Sequence, residues 1–287
     1  MNSEYPTVHH ISLENSTCPQ ETLFAGNPQA IDADIVVPVY NEEVELGSSI
    51  VILVEELKTL ECLPSPITAQ IVIADNASSD RTWNLACSLA ETFPAYVRAV
   101  RIPEKGRGRA LKTAWLSSNA RALAYMDVDL STDIKQIPQL LYPILEGTAD
   151  LSFGSRLMTQ SQVTRCPKRE FISRTYNHML QSYLDVSFRD AQCGFKAISA
   201  EAAHALLPYI EDNEWFFDTE LLVLAERLGI AMEEFPVRWE EDPHSTVHIA
   251  DTVRKDLAGM RRLKRAQTEG TFARSNFIRQ QKAVEGR

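Results

Sequence analysis

Two carboxylates, one residue apart, close an apolar run in Ala124-Tyr-Met-Asp127-Val-Asp129-Leu-Ser-Thr-Asp133. If the run from Ala122 to Met126 continues as a strand, side chains two apart point the same way, and Asp127 and Asp129 share a face. Held that close, two carboxylates repel unless a cation or a shared proton relieves them. Hard oxygen ligands suit Mg²⁺ or Mn²⁺, and Mg²⁺ is commonly held by one or two carboxylates plus the phosphates of a substrate. The expectation is a metal-bound diphosphate at the end of a central strand, with Asp127 and Asp129 as metal ligands. Acidic pairs of this spacing also sit in solvated turns. The elements around the pair have to decide.

Those elements alternate. Asp34 to Tyr40 is a short apolar run fit for a buried parallel strand, and Pro38 near its end marks where pairing stops. Asn41 is a candidate cap for a helix over about 43–60 carrying Val44, Ile50, Val51, Val54 and Leu57 at helical spacing. Strands at Gln70–Asp75, Tyr96–Ile102 and Asp150–Phe153, and helices at 80–92, from the Lys105–Arg109 glycine loop to Asn119, and at 134–146, continue the pattern. Five strands alternating with helices imply an α/β fold with a parallel sheet and right-handed crossovers. Ligands of such sheets bind beyond the carboxyl ends of the strands. Tyr40, Asp75, the Arg107 loop and the acid pair all fall on that edge. After Gly154 the alternation fades: a helix from Pro167 to Leu184, a turn and short strand at Asp190–Lys196, helices at 199–207 and to Leu228, one strand over Ile230–Trp239, and a basic helix at 251–265.

At 287 residues and 44% hydrophobic content, the chain suits one large α/β domain or two small ones. The domain reading is a loose arm at 1–31, a body at 32–250 and a basic helix and tail at 251–287. The net charge of −10 argues against general nucleic-acid binding. Residues 251–287 nevertheless carry ten Lys/Arg against four Asp/Glu, so +6, which leaves −16 for the rest. A basic tail on an acidic body suits either a solvated helix or contact with anionic lipid. Five scattered cysteines without a C-x-x-C pair read as a reduced, cytosolic pattern without structural zinc. The first basic residue is Lys58, and no apolar run nears the roughly 18 residues of a spanning helix. The expected location is cytoplasmic, with a peripheral position on the membrane face as an option. His9-His10 reads as solvated.

With these pieces assembled, the sequence resembles the inverting family-2 glycosyltransferases of GT-A type over about residues 33–265. Within them it is similar to the dolichyl-phosphate glucose and mannose synthases. The resemblance rests on Val37–Glu42, Ile73–Asp80, Gly106-Arg-Gly108, Asp127-Val-Asp129, Gly154-Ser-Arg156, Asp190–Lys196 and Trp215–Leu222, in the family's order. It implies a GT-A, Rossmann-like, mostly parallel sheet with a smaller mixed acceptor-side portion. It also implies nucleotide contacts from Pro38, Tyr40, Glu42, Asp75, Arg107 and Asp127. Asp75 has a physical reason to be among them, because a carboxylate accepts the N–H of a uracil or guanine ring. Three departures stand out: Asn76 replaces a usual aspartate, Arg107 a more common lysine, and Ser131 a glutamine of some relatives.

On the acceptor side the resemblance implies a phosphate grip from Arg156, Arg169 and Ser173, with Lys168 and Arg174 nearby. Arg169 and Ser173 are four apart and share a helix face. Asp190 aligns with the base candidate of relatives. A phosphate acceptor is already ionised, so Asp190 is expected to orient or stabilise charge; Asp218 and Glu220 are its rivals. The catalytic set is thus Asp190, Asp129 and Arg156. Arg238, His244 and His248 lie where relatives have a loop closing on the donor. The implied activity is metal-dependent hexose transfer from a sugar nucleotide, UDP-glucose before GDP-mannose, to a polyprenyl phosphate. Transfer to a soluble phosphorylated or saccharide acceptor is the alternative. A nucleotidyltransferase lacks its glycine- and arginine-rich opening here, and a non-catalytic sugar-nucleotide binding module would be expected to lose one of the two aspartates.

Overall fold

A computed structural model describes residues 31–241 and 249–269. A seven-stranded sheet runs through its centre. In chain order the strands are β1 (Ala33–Val39), β2 (Ala69–Asn76), β3 (Val97–Ile102), β4 (Ala122–Met126), β5 (Leu151–Ser155), β6 (Gln162–Thr164), β7 (Phe195–Ser199), β8 (Met232–Pro236) and β9 (Arg238–Glu240). The helices are α1 (Leu46–Leu60), α2 (Thr82–Thr92), α3 (Arg107–Leu116), α4 (Ile137–Leu145), α5 (Pro167–Leu184), α6 (Ala200–Leu206), α7 (Phe217–Leu228) and α8 (Ile249–Thr268). The spatial order of the large sheet is β3-β2-β1-β4-β7-β5-β8, and β6 pairs with β9 in a separate ribbon.

The alternation of β4 shows how the sheet divides the core. Leu123 and Tyr125 face one apolar layer, built with α3, α5, α6, α7 and α8. Ala122, Ala124 and Met126 face the other, built with α1, α2 and α4. Both faces are covered, which is why these strands read as continuous apolar runs.

Several expectations need correction. The sheet is not wholly parallel: β7 runs antiparallel between β4 and β5, so the fifth strand does not adjoin the fourth. A connection of more than thirty residues containing α5 carries the chain past that position before β7 fills it. The run Ile230–Trp239 is two strands, split at Val237 between the two sheets. Helix α1 begins at Leu46, and Val44 is 88% exposed. Asn41 does not cap it; with φ of 57° it turns the chain, and its Oδ1 accepts the N–H of Ser79 at 2.9 Å. Pro38 ends pairing on one side only: β1 leaves β4 after Val36 but stays in register with β2 to Val39.

The basic helix α8 is docked. Met260 and Leu263 are buried, and Gly259 lies so close to Phe216 that a Cβ there would fall 2.4 Å from its ring. Arg262 donates to Glu220 at 2.8 Å, and Arg227 of α7 donates to the carbonyl of Leu263. Lysine and arginine on the outer face, including Arg254 and Arg261, are exposed. No helix among the described residues is long and apolar enough to cross a membrane. The His9-His10 pair and residues 242–248, with His244 and His248, lie outside the described residues.

Asp256 lies on the buried face of α8, 4% exposed, and burial raises its carboxyl to about 6. An acid whose folded pKa lies above its unfolded value binds a proton more tightly when folded. Stability therefore falls as pH rises from about 4 through 6, by roughly 2–3 kcal/mol. Asp256→Asn should flatten that slope in urea unfolding curves taken between pH 4 and 7.

Candidate active site

The edge formed by the carboxyl ends of β1, β2 and β4 gathers the donor-side residues. Asp75, the last residue but one of β2, pairs opposite Val39, and Tyr40 follows Val39. β4 stops at Met126, so Asp127 lies just past its end and Asp129 sits in a turn. The strand periodicity expected to align the two acids is therefore absent. The turn itself does the work: Leu130 adopts φ of 51°, and Asp129 accepts the N–H of Ser131 at 3.0 Å. Asp127 keeps the direction of Leu123 and Tyr125, toward α3 and α7. Burial raises its carboxyl, Arg107 opposes that, and the charge of Asp129 adds to the rise. The two acids are near enough to feel each other.

Arg107 is the cation among them. Its Nη1 lies 2.7 Å from Asp127 Oδ1, and its Nε lies 3.9 Å from Asp218. The guanidinium also stands over the rings of Tyr125 and Trp215, 5.3 and 4.9 Å from their centroids. The glycine loop that delivers it is shaped from outside. Gly106 has φ of 155°, and a Cβ there would fall 2.4 Å from the carbonyl oxygen of Asn213. Asn76, at the position where the family usually has aspartate, accepts the N–H of Gly106 at 2.7 Å. The carbonyls of Asn213 and Glu214 take the N–H groups of Arg109 and Gly108. The amides of this helix start are thus used by the protein, and the Arg107 side chain is what faces the acids.

Tyr40 carries the ammonium of Lys105 over its ring at 3.7 Å. The N–H of Glu42 donates to Thr82 at 2.8 Å. Asp75 is fully buried, and burial raises its carboxyl while Ser78 and Arg101 oppose the rise. Arg101 lies 3.5 Å away. A carboxylate has room for about four donors, so one held this loosely can still take a donor from a ligand. Among the described residues no three His, Cys, Asp or Glu side chains converge to cage a metal. The Asp127 and Asp129 oxygens do fit a hard divalent cation that keeps its remaining positions for water or phosphate.

On the acceptor side, Arg156 follows β5 and forms a bidentate pair with Asp190: Nε to Oδ2 at 2.8 Å and Nη2 to Oδ1 at 2.9 Å. The backbone N–H groups of Arg156 and Gln192 donate to the same carboxylate. These partners outweigh burial and hold Asp190 down at about 2. It stays ionised and makes a poor proton acceptor. Arg156 and Arg165 both stand over the ring of Trp239, 5.4 and 5.3 Å from its centroid. Arg169 donates to Glu241 at 2.7 Å. Ser173, on the same helix, is buried, and its hydroxyl has no partner. Lys168 and Arg174 are exposed, and Arg174 pairs with Glu170. Arg238 pairs with Asp133. Of the two rival bases, Asp218 is bonded to Tyr125 and Lys196. Glu220 belongs to the docking of α8 through Arg262.

With this geometry in place, comparison with known proteins is decisive at the family level. Residues 34–207 match the model of glycosyl transferase family 2. The chain belongs to this family. It is 36% identical to glycosyltransferase AglD of Haloferax volcanii over 236 residues, 82% of this chain but only 37% of that protein's length. It is 30% identical to a dolichyl-phosphate beta-glucosyltransferase of Mus musculus, covering 72% of this chain and 67% of that one. Among solved structures it superimposes on glucosyl-3-phosphoglycerate synthase from Mycobacterium tuberculosis, in complex with Mn²⁺, UDP and phosphoglyceric acid. The TM-score is 0.60 at 17% identity, over 82% of this chain and 78% of that one. That likeness is one of fold: an α/β sheet flanked by helices.

Sequence reasoning left parts of this glycosyltransferase's site unassigned. Arg165 lies outside every motif, and only the β6–β9 ribbon brings it beside Arg156. Lys196 was visible only as the end of a motif; it is fully buried and bonded to Tyr125 and Asp218. Its partner Tyr125 is its direct neighbour across β4 and β7, a pairing that alternation did not reveal.

The two sides should respond differently to loss of charge. Asp190→Asn leaves the buried Arg156 without its counter-charge and should lower unfolding stability by about 3–5 kcal/mol. Asp129→Asn, at an exposed turn, should stay within about 0.5 kcal/mol of the unaltered protein in the same urea titration.

Proposed function

We propose that this glycosyltransferase moves a hexose from a sugar nucleotide to a polyprenyl phosphate with inversion, and that UDP-glucose is its preferred donor over GDP-mannose. The observation that carries the reading is a pair of buried polar groups with capacity to spare. Asp75, at the carboxyl edge, is fully buried and only loosely held by its neighbours, and Ser173, one turn from Arg169 on α5, has an unpartnered hydroxyl.

In this reading Asp75 accepts the imide N–H of the base, while Pro38, Tyr40 and Glu42 border the nucleoside. Asp127 and Asp129 would hold Mg²⁺ or Mn²⁺, which neutralises charge developing on the departing diphosphate. Arg107 contributes a second cation to the same oxygens. Arg156, Arg169 and Ser173 grip the acceptor phosphate. One bond forms, from a phosphate oxygen to the anomeric carbon, as the bond from that carbon to the diphosphate breaks on the opposite face. The attacking oxygen is already ionised, so no group need remove a proton from it. The ionised Asp190 then serves to fix Arg156. The relatives named as dolichyl-phosphate beta-glucosyltransferases support the lipid acceptor and the glucose. Contact of the exposed basic face of α8 with anionic lipid belongs to the same reading, at about 1 kcal/mol per surface-close basic residue.

A second reading is a soluble phosphorylated acceptor. The structural likeness to a synthase bound to phosphoglyceric acid favours it. Both readings use the same arginines and differ in what the phosphate is attached to.

Incubation with labelled UDP-glucose or GDP-mannose, Mn²⁺, and either a short polyprenyl phosphate or 3-phosphoglycerate separates them. Label moving from UDP-glucose to lipid is the expected result; label moving only to the soluble acceptor overturns the lipid assignment. Asp129→Asn should lower kcat about 100-fold or more, as expected for loss of a metal ligand contributing several kcal/mol. Ser173→Ala should raise the acceptor KM about tenfold with little change in donor KM, the effect of one hydrogen bond to a charged group.

A further inference from the structure

Lys196 is a lysine with no exposed surface, and its ammonium is surrounded. It donates to the carbonyls of Ala191 at 3.0 Å and Cys193 at 2.6 Å, to Tyr125 Oη at 3.1 Å and to Asp218 Oδ1 at 3.0 Å. The first two partners belong to the loop that begins at Asp190, on the acceptor side. The other two belong to β4 and α7, on the donor side. Lys196 thus bridges the two by four hydrogen bonds.

The contacts close into a ring. Lys196 holds the loop Asp190–Gly194. Gly194, at the end of that loop, abuts Asp127 so closely that a Cβ there would fall 1.9 Å from Oδ2. Asp127 is paired with Arg107, Arg107 faces Asp218, and Asp218 returns to Lys196. The ring holds two acids and two bases. Lys196, Arg107 and Asp218 are largely buried and Asp127 is partly so. Burying charges is not how a fold gains stability, since well-packed apolar residues of similar volume serve as well or better. What a closed set of such contacts does provide is one arrangement of its members.

We propose that Lys196 is a positioning residue: it fixes the Asp190–Gly194 loop against Asp127, and so sets the separation between the acid turn and the arginines that grip the acceptor phosphate. The inference rests on the proposed reading of the acid turn as a metal and diphosphate site. It adds a residue that touches neither substrate and acts through the loop and through Asp218.

The test compares the unaltered protein with Lys196→Met and with Lys196→Met/Asp218→Asn, which removes the acid left unpaired by the first change. Two quantities are read: the Mn²⁺ concentration giving half the thermal shift by UDP, and, below each variant's unfolding midpoint, kcat against donor KM. Loss of a group that orients metal ligands from outside typically costs 10–100-fold in metal affinity or activity. Lys196→Met is therefore expected to need about 10-fold more Mn²⁺ and to lose kcat by a similar factor, with donor KM little changed. The double variant should regain unfolding stability but not the Mn²⁺ response. Three results overturn the proposal: an unchanged Mn²⁺ response in folded Lys196→Met, recovery of that response together with stability in the double variant, or failure of both variants to fold, which would make Lys196 a folding residue. If the unaltered protein itself shows no metal-dependent shift with UDP, the reading of the donor site fails first, and the ring loses its proposed purpose with it.

Discussion

Arg107 stands between Asp127 and Asp218, paired with the first at 2.7 Å and 3.9 Å from the second, which Lys196 also holds. Without a guanidinium between them, two carboxylates in a largely buried space would repel or take up protons. With it, Asp127 can be held at the end of β4 facing α3 and α7. Burial alone would weaken the charge on Arg107, but the two acids and the tyrosine beneath it more than compensate, and its affinity for its proton rises. Everything that shapes the glycine loop, from the φ of Gly106 to the carbonyls of Asn213 and Glu214, serves to deliver that one side chain.

The same logic governs the acceptor side, with a different outcome. Arg156 and Asp190 satisfy one another in a bidentate pair, so this acid is committed to an arginine. Around the site most buried polar groups are spoken for. The Ser173 hydroxyl is among the exceptions, and Asp75 is only loosely held. Unpartnered buried polar atoms cost free energy, and a protein that keeps them at a cleft gains something when a ligand arrives. Cys193, between the two halves, is not one of these groups: burial pushes its thiol up to about 12, which leaves it inert packing.

Much of this was legible beforehand for a physical reason. Buried parallel strands are short apolar runs ending in polar turns, so β1 to β5 and the helices between them could be read from local pattern alone. The ligand-facing edge follows from that alternation, and Tyr40, Asp75 and Asp127 were placed on it correctly as positions along the chain. Strand alternation was expected to put Asp127 and Asp129 on one face, but the strand stops at Met126 and Asp129 sits in a turn, near enough for its charge to act on Asp127. Asn41 and Val44 misled by residue type, one turning the chain and holding the Ser79 loop rather than capping a helix, the other an exposed apolar side chain.

The sequence by itself determined the family, the order of the elements and which residue types reach the carboxyl edge, because those depend on periodicity and on motifs held within a few residues. Only the tertiary structure decided which of those residues meet. The antiparallel insertion of β7 beside β4, the ribbon that stacks Arg165 and Arg156 on Trp239, and the closure of Lys196 onto Tyr125 and Asp218 all join segments far apart in the chain. Such contacts arise from packing two apolar layers against one sheet, and no local pattern encodes which strand will fill a gap in it.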